Sequence, residues 1–196
     1  AAVRYARRVR LDWAWLLPAA IVAFAGSWLG AWTLTRVDPQ LLRKLLPIIL
    51  VFVLIYTLMH RQFGLMHSPL HTRKRKLLLA MAVGGMIGWY DGFFGPGTGS
   101  FFIFLLIRLL GIDFLHASAS AKVLNAATNL SALLLLAATG HVWWQVGLAM
   151  ALANIAGSLL GTALALKHGA LLVRRVFIVM VSLLVLKAGW QAYFAA

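Results

Sequence analysis

The chain has 196 residues, 63% of them hydrophobic, and a mean hydropathy of +0.91. Soluble domains are roughly 45–50% apolar, so the composition excludes an ordinary soluble protein and predicts an all-α polytopic membrane protein. The net charge of +14 comes from basic residues between apolar runs, where retention on the cytoplasmic side and lipid head groups explain them better than nucleic acid does.

Runs of low charge predict seven membrane segments. In chain order they are 13–34, 45–59, 77–90, 93–110, 118–139, 142–166 and 170–194. A straight helix over 77–110 would be about 51 Å long, whereas the hydrocarbon core is about 30 Å thick. We therefore predict a helical hairpin broken at GPGTG (95–99), with residues 91–100 non-helical at membrane depth.

The chain also contains an internal repeat. A shift of 131 positions places Trp13 on Trp144 without a gap, and it aligns three further motifs. They are Ala25-Gly26-Ser27 with Ala156-Gly157-Ser158, Leu29-Gly30 with Leu160-Gly161, and Arg43-Lys44 with Arg174-Arg175. We expect residues 1–60 to be the last two helices of a first repeat whose beginning would lie before residue 1. Residues 61–76 form a cytoplasmic loop, and 77–196 a complete second repeat.

Basic residues predict the topology. Arginines in 1–10 and the run RKRK at 73–76 place both stretches in the cytoplasm, with two crossings between them. The complete repeat then makes an odd number of net crossings, so its two copies are predicted to be inverted. Arg36, Arg43 and Lys44 fit this scheme poorly, because it leaves them outside.

Asp91 lies at the start of the predicted break, between two apolar runs. A carboxylate within the membrane tends to mark a substrate or ion path, and transporters commonly build sites from broken helices. The turn can bind an anion through backbone N–H groups at a helix N-terminus, or its glycines can serve geometry alone. The candidate turn residues are Gly95, Gly97, Thr98, Gly99 and Ser100.

A second polar strip lies in segment 118–139. Lys122, Asn125 and Asn129 share one helical face, and Ser118 precedes them by one turn. The strip can pair with Asp91, bind an anion, or do both; the alternative is a structural seam between helices.

Other features favour structural roles. Glycines spaced by four at 84–92, 26–30 and 157–161 indicate close helix packing. Asn154 is predicted to form a contact between helices, and the Lys187 side chain is predicted to extend to the membrane interface. Cysteine is absent, and no metal-binding, P-loop or paired-carboxylate motif occurs, so we predict neither enzyme activity nor a cofactor nor a metal.

Several motifs in order resemble the sulfite exporter TauE/SafE family of membrane transporters. They are G-x-x-D-G-F-F-G-P-G-T-G-S from Gly88 to Ser100, Gly111-x-Asp113-Phe114, and Ala-x-Ala-Lys122-x-x-Asn125-x-x-x-Asn129. The resemblance implies a multi-pass inner-membrane protein that moves sulfite, thiosulfate, sulfoacetate or another small organic anion, coupled to an ion gradient.

The leading hypothesis is thus an anion transporter with its site between the hairpin turn and the Lys122 helix. Asp91 would couple protons or ions, or brace the broken backbone. A membrane scaffold or assembly subunit is the runner-up, and a channel is third because the charges form no ring. The expected partners are a small anion and the lipid bilayer, with a homo-oligomer left open and nucleic acid excluded.

Overall fold

The structure is a computed structural model, and it describes residues 11–59 and 72–168, together with 178–179, 182–187 and 189–190. The described residues form helices and no strands. The six complete helices are α1 (Trp13–Leu34), α2 (Pro39–Met59), α3 (Arg73–Phe93), α4 (Thr98–Leu110), α5 (Phe114–Ala138) and α6 (Trp144–His168). The all-α prediction is confirmed for this part of the chain.

Two of the described helices are long and apolar enough to cross a membrane, namely α1 and residues Leu115–Ala138 of α5. Contacts divide the chain into two units. The hairpin unit, residues 2–36 and 62–141, contains α1, α3, α4 and α5. The second unit, residues 37–61 and 142–196 with Ala1, contains α2 and α6.

Helices α1 and α3 make the closest contact in the hairpin unit, because small residues line both surfaces. A Cβ atom on a glycine of α3 would overlap, or nearly overlap, backbone of α1 at three levels. The pairs are Gly84 with Ala19, Gly88 with Ala23, and Gly92 with Ser27. From one pair to the next, the residue numbers increase in both helices, so α1 and α3 run parallel, as the predicted topology requires. The predicted packing role of the 84–92 glycine stripe is confirmed.

The predicted hairpin is present, but its turn is shorter than expected. Only residues 94–97 lie outside helix, with Gly95 at φ 85° and Gly97 at φ 82°. These left-handed backbone angles suit glycine and strain residues with a Cβ. The prediction of non-helical residues from 91 to 100 was wrong at both ends. The Phe94 N–H still donates to the Tyr90 carbonyl, and the Ser100 N–H donates to that of Gly97, which starts α4.

Helix α4 returns along the unit and is followed by α5 after a short turn at 111–113. Gly111, at φ 67°, ends α4, and Asp113 caps the start of α5. The start of α4 lies against the middle of α5, since Gly99 contacts Asn125, whereas the end of α4 leads into the start of α5. The two helices are therefore antiparallel. Apolar side chains from all four helices fill the core, including Leu16, Ala80, Phe102, Leu106 and Leu124.

The basic run at 73–76 is not part of a loop, contrary to the sequence prediction. Thr72 precedes α3, and the Lys76 N–H donates to its carbonyl, so the basic residues form the first helical turn. Lysine and arginine are good helix formers, and Lys76 pairs with Asp12 at 3.0 Å, which offsets the unfavourable helix-dipole position. The rest of the predicted loop, residues 61–71, lies outside the described residues.

In the second unit, α2 begins before the predicted 45–59 and ends with it, whereas α6 begins and ends two residues later than the predicted 142–166. The side chains of α6 are exposed from Trp144 to Ile155, among them the amide of Asn154. A Cβ on Gly157 would meet nothing within 4 Å, so the close packing predicted there is absent among the described residues. Segment 170–194 lies largely outside the described residues; those described within it are helical and include the exposed Lys187.

Candidate functional site

Asp91 projects from the last turns of α3 towards α5. The buried Thr128 hydroxyl donates a hydrogen bond to Oδ2 of the carboxylate, and the Thr98 hydroxyl of α4 lies near it. Among the described residues, no lysine, arginine or histidine forms an ion pair with Asp91. The chain's one acid in a helix interior is thus held by neutral hydroxyl groups from two other helices.

Side chains satisfy the carbonyl groups of the hairpin turn. The Tyr90 hydroxyl donates to the Pro96 carbonyl at 2.7 Å, and the Thr98 hydroxyl donates to the Gly95 carbonyl at 2.5 Å. Backbone that leaves helical geometry inside a membrane needs such internal partners. The turn is therefore compatible with an apolar surrounding.

Asn125 of α5 faces the first turn of α4. Its Nδ2 atom lies 3.2 Å from the position that a Cβ on Gly99 would occupy. Its Oδ1 atom is buried and has no hydrogen-bond partner among the described residues. The small size of Gly99 lets the amide approach the turn, and it leaves an unsatisfied acceptor beside the hairpin.

Two serine hydroxyls attach α1 and α5 to each other. Ser27 donates to the Thr128 carbonyl and Ser131 donates to the Phe24 carbonyl, each at 2.7 Å. The side chains of Ser27 and Ser131 are fully buried. We define the polar cluster as Ser27, Asp91, Thr98, Asn125 and Thr128; it draws on all four helices of the hairpin unit.

Sequence reasoning missed Ser27 and Thr128, although weak signals existed. Thr128 lies three residues after Asn125, one helical turn along a neighbouring stripe of α5. Ser27 follows Gly26 inside the repeated Ala-Gly-Ser motif. A hydroxyl in an apolar helix is commonly satisfied by its own helix, so neither residue stood out before its neighbours were known.

The strip on α5 changes from buried to exposed along its length. Ser118 is buried, Lys122 and Asn125 are half-buried, and Asn129 is exposed. The Asn129 amide donates to the Asn125 carbonyl at 2.7 Å within its own helix. The strip therefore borders the core-facing stripe of α5, and Asn125 contacts the hairpin at Gly99.

The predicted turn residues occupy different environments. Thr98 is buried, Ser100 is exposed, and Gly95, Gly97 and Gly99 are half-buried. A Cβ on Gly95 would lie 3.8 Å from Oδ1 of Asp91, which places the turn beside that carboxylate. The structure thus brings Asp91, Thr98 and Asn125 together around one turn, as the sequence suggested.

Asp113, which stands in one of the resemblance motifs, has a capping role. Its carboxylate accepts from the Leu115 and His116 N–H groups at 3.0 Å, and it contacts Nδ1 of His116 at 2.6 Å. Burial raises the pKa of Asp113, but the hydrogen bonds and charge of His116 outweigh burial, so this pKa lies below its ordinary value. Asp113 organises the α4–α5 connection.

Comparison with known proteins adds family evidence. A family profile described as "Sulfite exporter TauE/SafE" matches residues 1–188. The "Probable membrane transporter protein YfcA" of Escherichia coli K12 is 34% identical over 172 residues, which are 88% of this chain and 63% of that protein. A "Probable membrane transporter protein" of Haemophilus influenzae is 32% identical over 188 residues, covering 94% of this chain and 72% of that protein.

A third relative, "Probable membrane transporter protein ORF9" of a Sinorhizobium species, is 33% identical over 180 residues, covering 92% of this chain and 68% of that protein. The chain thus spans under two thirds of the length of the E. coli relative and about 70% of the other two. No solved structure matches the chain.

Proposed function

The chain belongs to the sulfite exporter TauE/SafE family, and on that premise we propose that it serves as a secondary transporter of small anions. It is a membrane protein of a transporter family. We further propose that it crosses the inner membrane several times and that its substrate is sulfur-containing, such as sulfite, thiosulfate or sulfoacetate, or another small organic anion. This proposal assigns it no enzymatic reaction.

One observation carries the proposal. The α3–α4 hairpin breaks helical geometry at 94–97 and gathers Asp91, Thr98 and Asn125 around the break. A packing role alone needs no carboxylate there, and an acid in an apolar helix is costly to keep in a membrane. Broken helices with polar groups at the break are how many secondary transporters bind substrate and coupling ion.

The anion would bind on the α5 side of the turn. Lys122 supplies positive charge one turn before Asn125, and the Nδ2 donor of Asn125 already faces Gly99. The exposed Ser100 hydroxyl and Asn129 amide offer further donors, with the backbone N–H groups of Gly97 and Gly99. Lysine attracts at long range, while hydroxyl and amide groups give direction to the binding.

Asp91 repels an anion, so it is not proposed as a substrate ligand. The hydrogen bond that Asp91 accepts from Thr128 links α3 to α5, and the proximity of Asp91 to Thr98 links α3 to α4. A carboxylate that lies against two other helices is well placed to link the binding of a cation or proton to the position of the hairpin. We propose this coupling role for Asp91.

Anion flux into proteoliposomes tests the proposal. Two purified samples are reconstituted separately: the protein as the cell produces it, and this chain alone. Uptake of sulfite, thiosulfate and sulfoacetate is then followed under an ion gradient. We expect uptake of at least one anion to exceed that of protein-free vesicles, and Lys122→Ala to reduce it. Lys187→Ala, which removes an exposed lysine from another apolar run, is the matched control and should transport normally.

Absence of flux for all three anions and for a panel of organic anions would contradict transport and favour the scaffold hypothesis. Normal flux in Lys122→Ala would remove Lys122 from the proposed site while leaving transport intact.

A further inference from the structure

We propose that the polar cluster binds one Na⁺ ion, held chiefly by the Asp91 carboxylate and Oδ1 of Asn125. The inference rests on the proposed function, and it deepens that function by naming the coupling ion. It is drawn from a count of protons and acceptors around the hairpin turn, together with the charge of the site.

The hydroxyl protons beside Asp91 are divided between several acceptors. Thr98 has a single hydroxyl proton, and it donates to the Gly95 carbonyl while also lying near the Asp91 carboxylate. Thr128 likewise has one proton, shared between Oδ2 of Asp91 and the Asn125 carbonyl at 3.1 Å. The carboxylate therefore has room for a further partner, and a bound cation can supply it.

Asn125 adds a further acceptor. Its Oδ1 atom is buried and has no donor among the described residues. A buried acceptor without a partner is rare in native structures, and a water molecule or an ion commonly satisfies such an atom. The Thr128 hydroxyl contacts both Oδ2 of Asp91 and the Asn125 carbonyl, so the two residues are neighbours in the cluster.

Charge favours a monovalent cation. Asp91 carries one negative charge, and no described cation pairs with it. One acid with neutral amide, hydroxyl and carbonyl oxygens balances one positive charge, whereas protein sites for Ca²⁺ are commonly richer in carboxylates. Oxygen ligands at the C-terminal end of a half-helix are also the usual Na⁺ ligands of transporters built from broken helices.

The arrangement gives Asn125 a double role. Its Oδ1 would contact the cation, and its Nδ2 would donate towards the anion at Gly99 and the start of α4. Occupancy of one site then orients the amide for the other. Na⁺ and anion are thereby expected to bind cooperatively.

Binding of ²²Na⁺ to the purified chain, in choline buffer of constant ionic strength and without anion, tests the inference. We expect saturable binding, and a loss of affinity of roughly tenfold or more in Asp91→Asn and in Asn125→Leu, since even indirect partners of a metal contribute that much. Asp38→Asn and Asn154→Ala alter an exposed acid and an exposed amide elsewhere, and they should bind as the unaltered chain does.

Circular dichroism and gel filtration establish that each variant is folded, and if Asp91→Asn is not, Asn125→Leu decides. Absence of saturable binding in the unaltered chain would overturn the inference, as would equal affinity in all variants. Flux that follows a pH gradient equally well without Na⁺ would also overturn it, while leaving anion transport established. Na⁺ binding without any anion flux would instead support the cation site and contradict the proposed function.

Discussion

At the scale of single residues, Thr128 connects the most parts of the polar cluster. Its side chain is fully buried, its hydroxyl donates to Asp91, and its carbonyl accepts from Ser27. The sequence pointed to Asp91 and Asn125 because charge and amides are conspicuous in an apolar run. It could not point to Thr128, because only the packing of the helices shows that its hydroxyl also reaches a partner outside its own helix.

Replacing Thr128 tests this role. Thr128→Val keeps the shape but removes the donor to a charged group, a bond worth about 1.5–3 kcal/mol, so the free energy of unfolding in detergent should fall by about that amount. Thr128→Ser keeps the hydroxyl and should lose less. Thr33→Val is the control, because the Thr33 hydroxyl bonds within its own helix, to Leu29. Equal effects of Thr128→Val and Thr33→Val would contradict the role given to Thr128.

Asp113 gives a pH-dependent prediction. Because its pKa is lowered on folding, its ionised form stabilises the folded state above its unfolded pKa of about 3.9, and that contribution is lost as pH falls through the lower folded value. Asp113→Ala should therefore be less stable than the unaltered chain by about 1 kcal/mol near neutral pH, the usual worth of a helix cap.

The difference should shrink below about pH 4, where the unaltered chain loses the same contribution. Melting temperatures from pH 3 to 7 measure it, with Asp113→Asn as a cap whose own charge does not titrate. A difference that stays constant down to pH 3 would show that the charge of Asp113 does not contribute to the stability of the folded state.

At the scale of elements, glycine spacing predicted close packing at both 84–92 and 157–161, and among the described residues only the first stripe is closely packed. Gly92 lies against the Ser27 backbone, whereas a Cβ on Gly157, in a stripe of the same spacing, would meet no described residue within 4 Å. A stripe of small residues permits another helix to approach closely, but close packing occurs only where a helix faces the stripe. The hairpin was predictable because a straight 34-residue helix would exceed the membrane thickness. The first and last residues of the turn were not predictable, because the helix α3 continues to Phe93.

Alanine substitutions should separate the two glycines. Gly92→Ala places a Cβ against the Ser27 carbonyl, and such overpacking should cost about 1–3 kcal/mol of unfolding free energy. In Gly157→Ala the added Cβ meets no described residue within 4 Å. The substitution should leave the unfolding free energy unchanged or raise it by up to about 1 kcal/mol, since alanine is the better helix former. Chemical or thermal unfolding of both variants in one detergent provides the measurement. Destabilisation by Gly157→Ala as large as that by Gly92→Ala would mean that α6 is closely packed there.

The two arms of the hairpin differ in length. At 1.5 Å per residue, the 21 residues of α3 span about 31 Å and the 13 residues of α4 about 20 Å. Only α3 matches a hydrocarbon core of about 30 Å. Arms of unequal length suit a hairpin that carries a site within the membrane better than two equal crossings do.

At the scale of the whole molecule, the repeat and its inversion stay predictions. The parallel packing of α1 and α3 agrees with the predicted topology inside the hairpin unit, but the second copy of the repeated pair includes segment 170–194, which lies largely outside the described residues. Family membership could be inferred from the motifs alone, because their order is specific. The inverted relation could not, because it depends on which side of the membrane each helix starts.

Cysteine labelling can decide the inversion, because the chain has no native cysteine. Lys74→Cys lies at the start of α3, on the side where the parallel α1 also starts, and His141→Cys precedes α6, the repeat counterpart of α1. We expect a membrane-impermeant maleimide to label Lys74→Cys only from the cytoplasmic side and His141→Cys only from the opposite side. Labelling of both from one side would mean parallel repeats.

The central claim is that the hairpin turn carries an anion site within the membrane, which requires water to reach the turn. The most direct test compares Ser100→Cys, beside the turn, with Met86→Cys on α3, because both positions are exposed. A thiol reacts with a charged maleimide in water as its thiolate, whereas a thiol facing lipid stays protonated and hidden from the reagent. In intact membranes, Ser100→Cys should therefore react far faster than Met86→Cys, and both should react fully after denaturation. Equal, slow reaction of the two variants in intact membranes would show that the turn faces lipid or protein, and it would contradict the account.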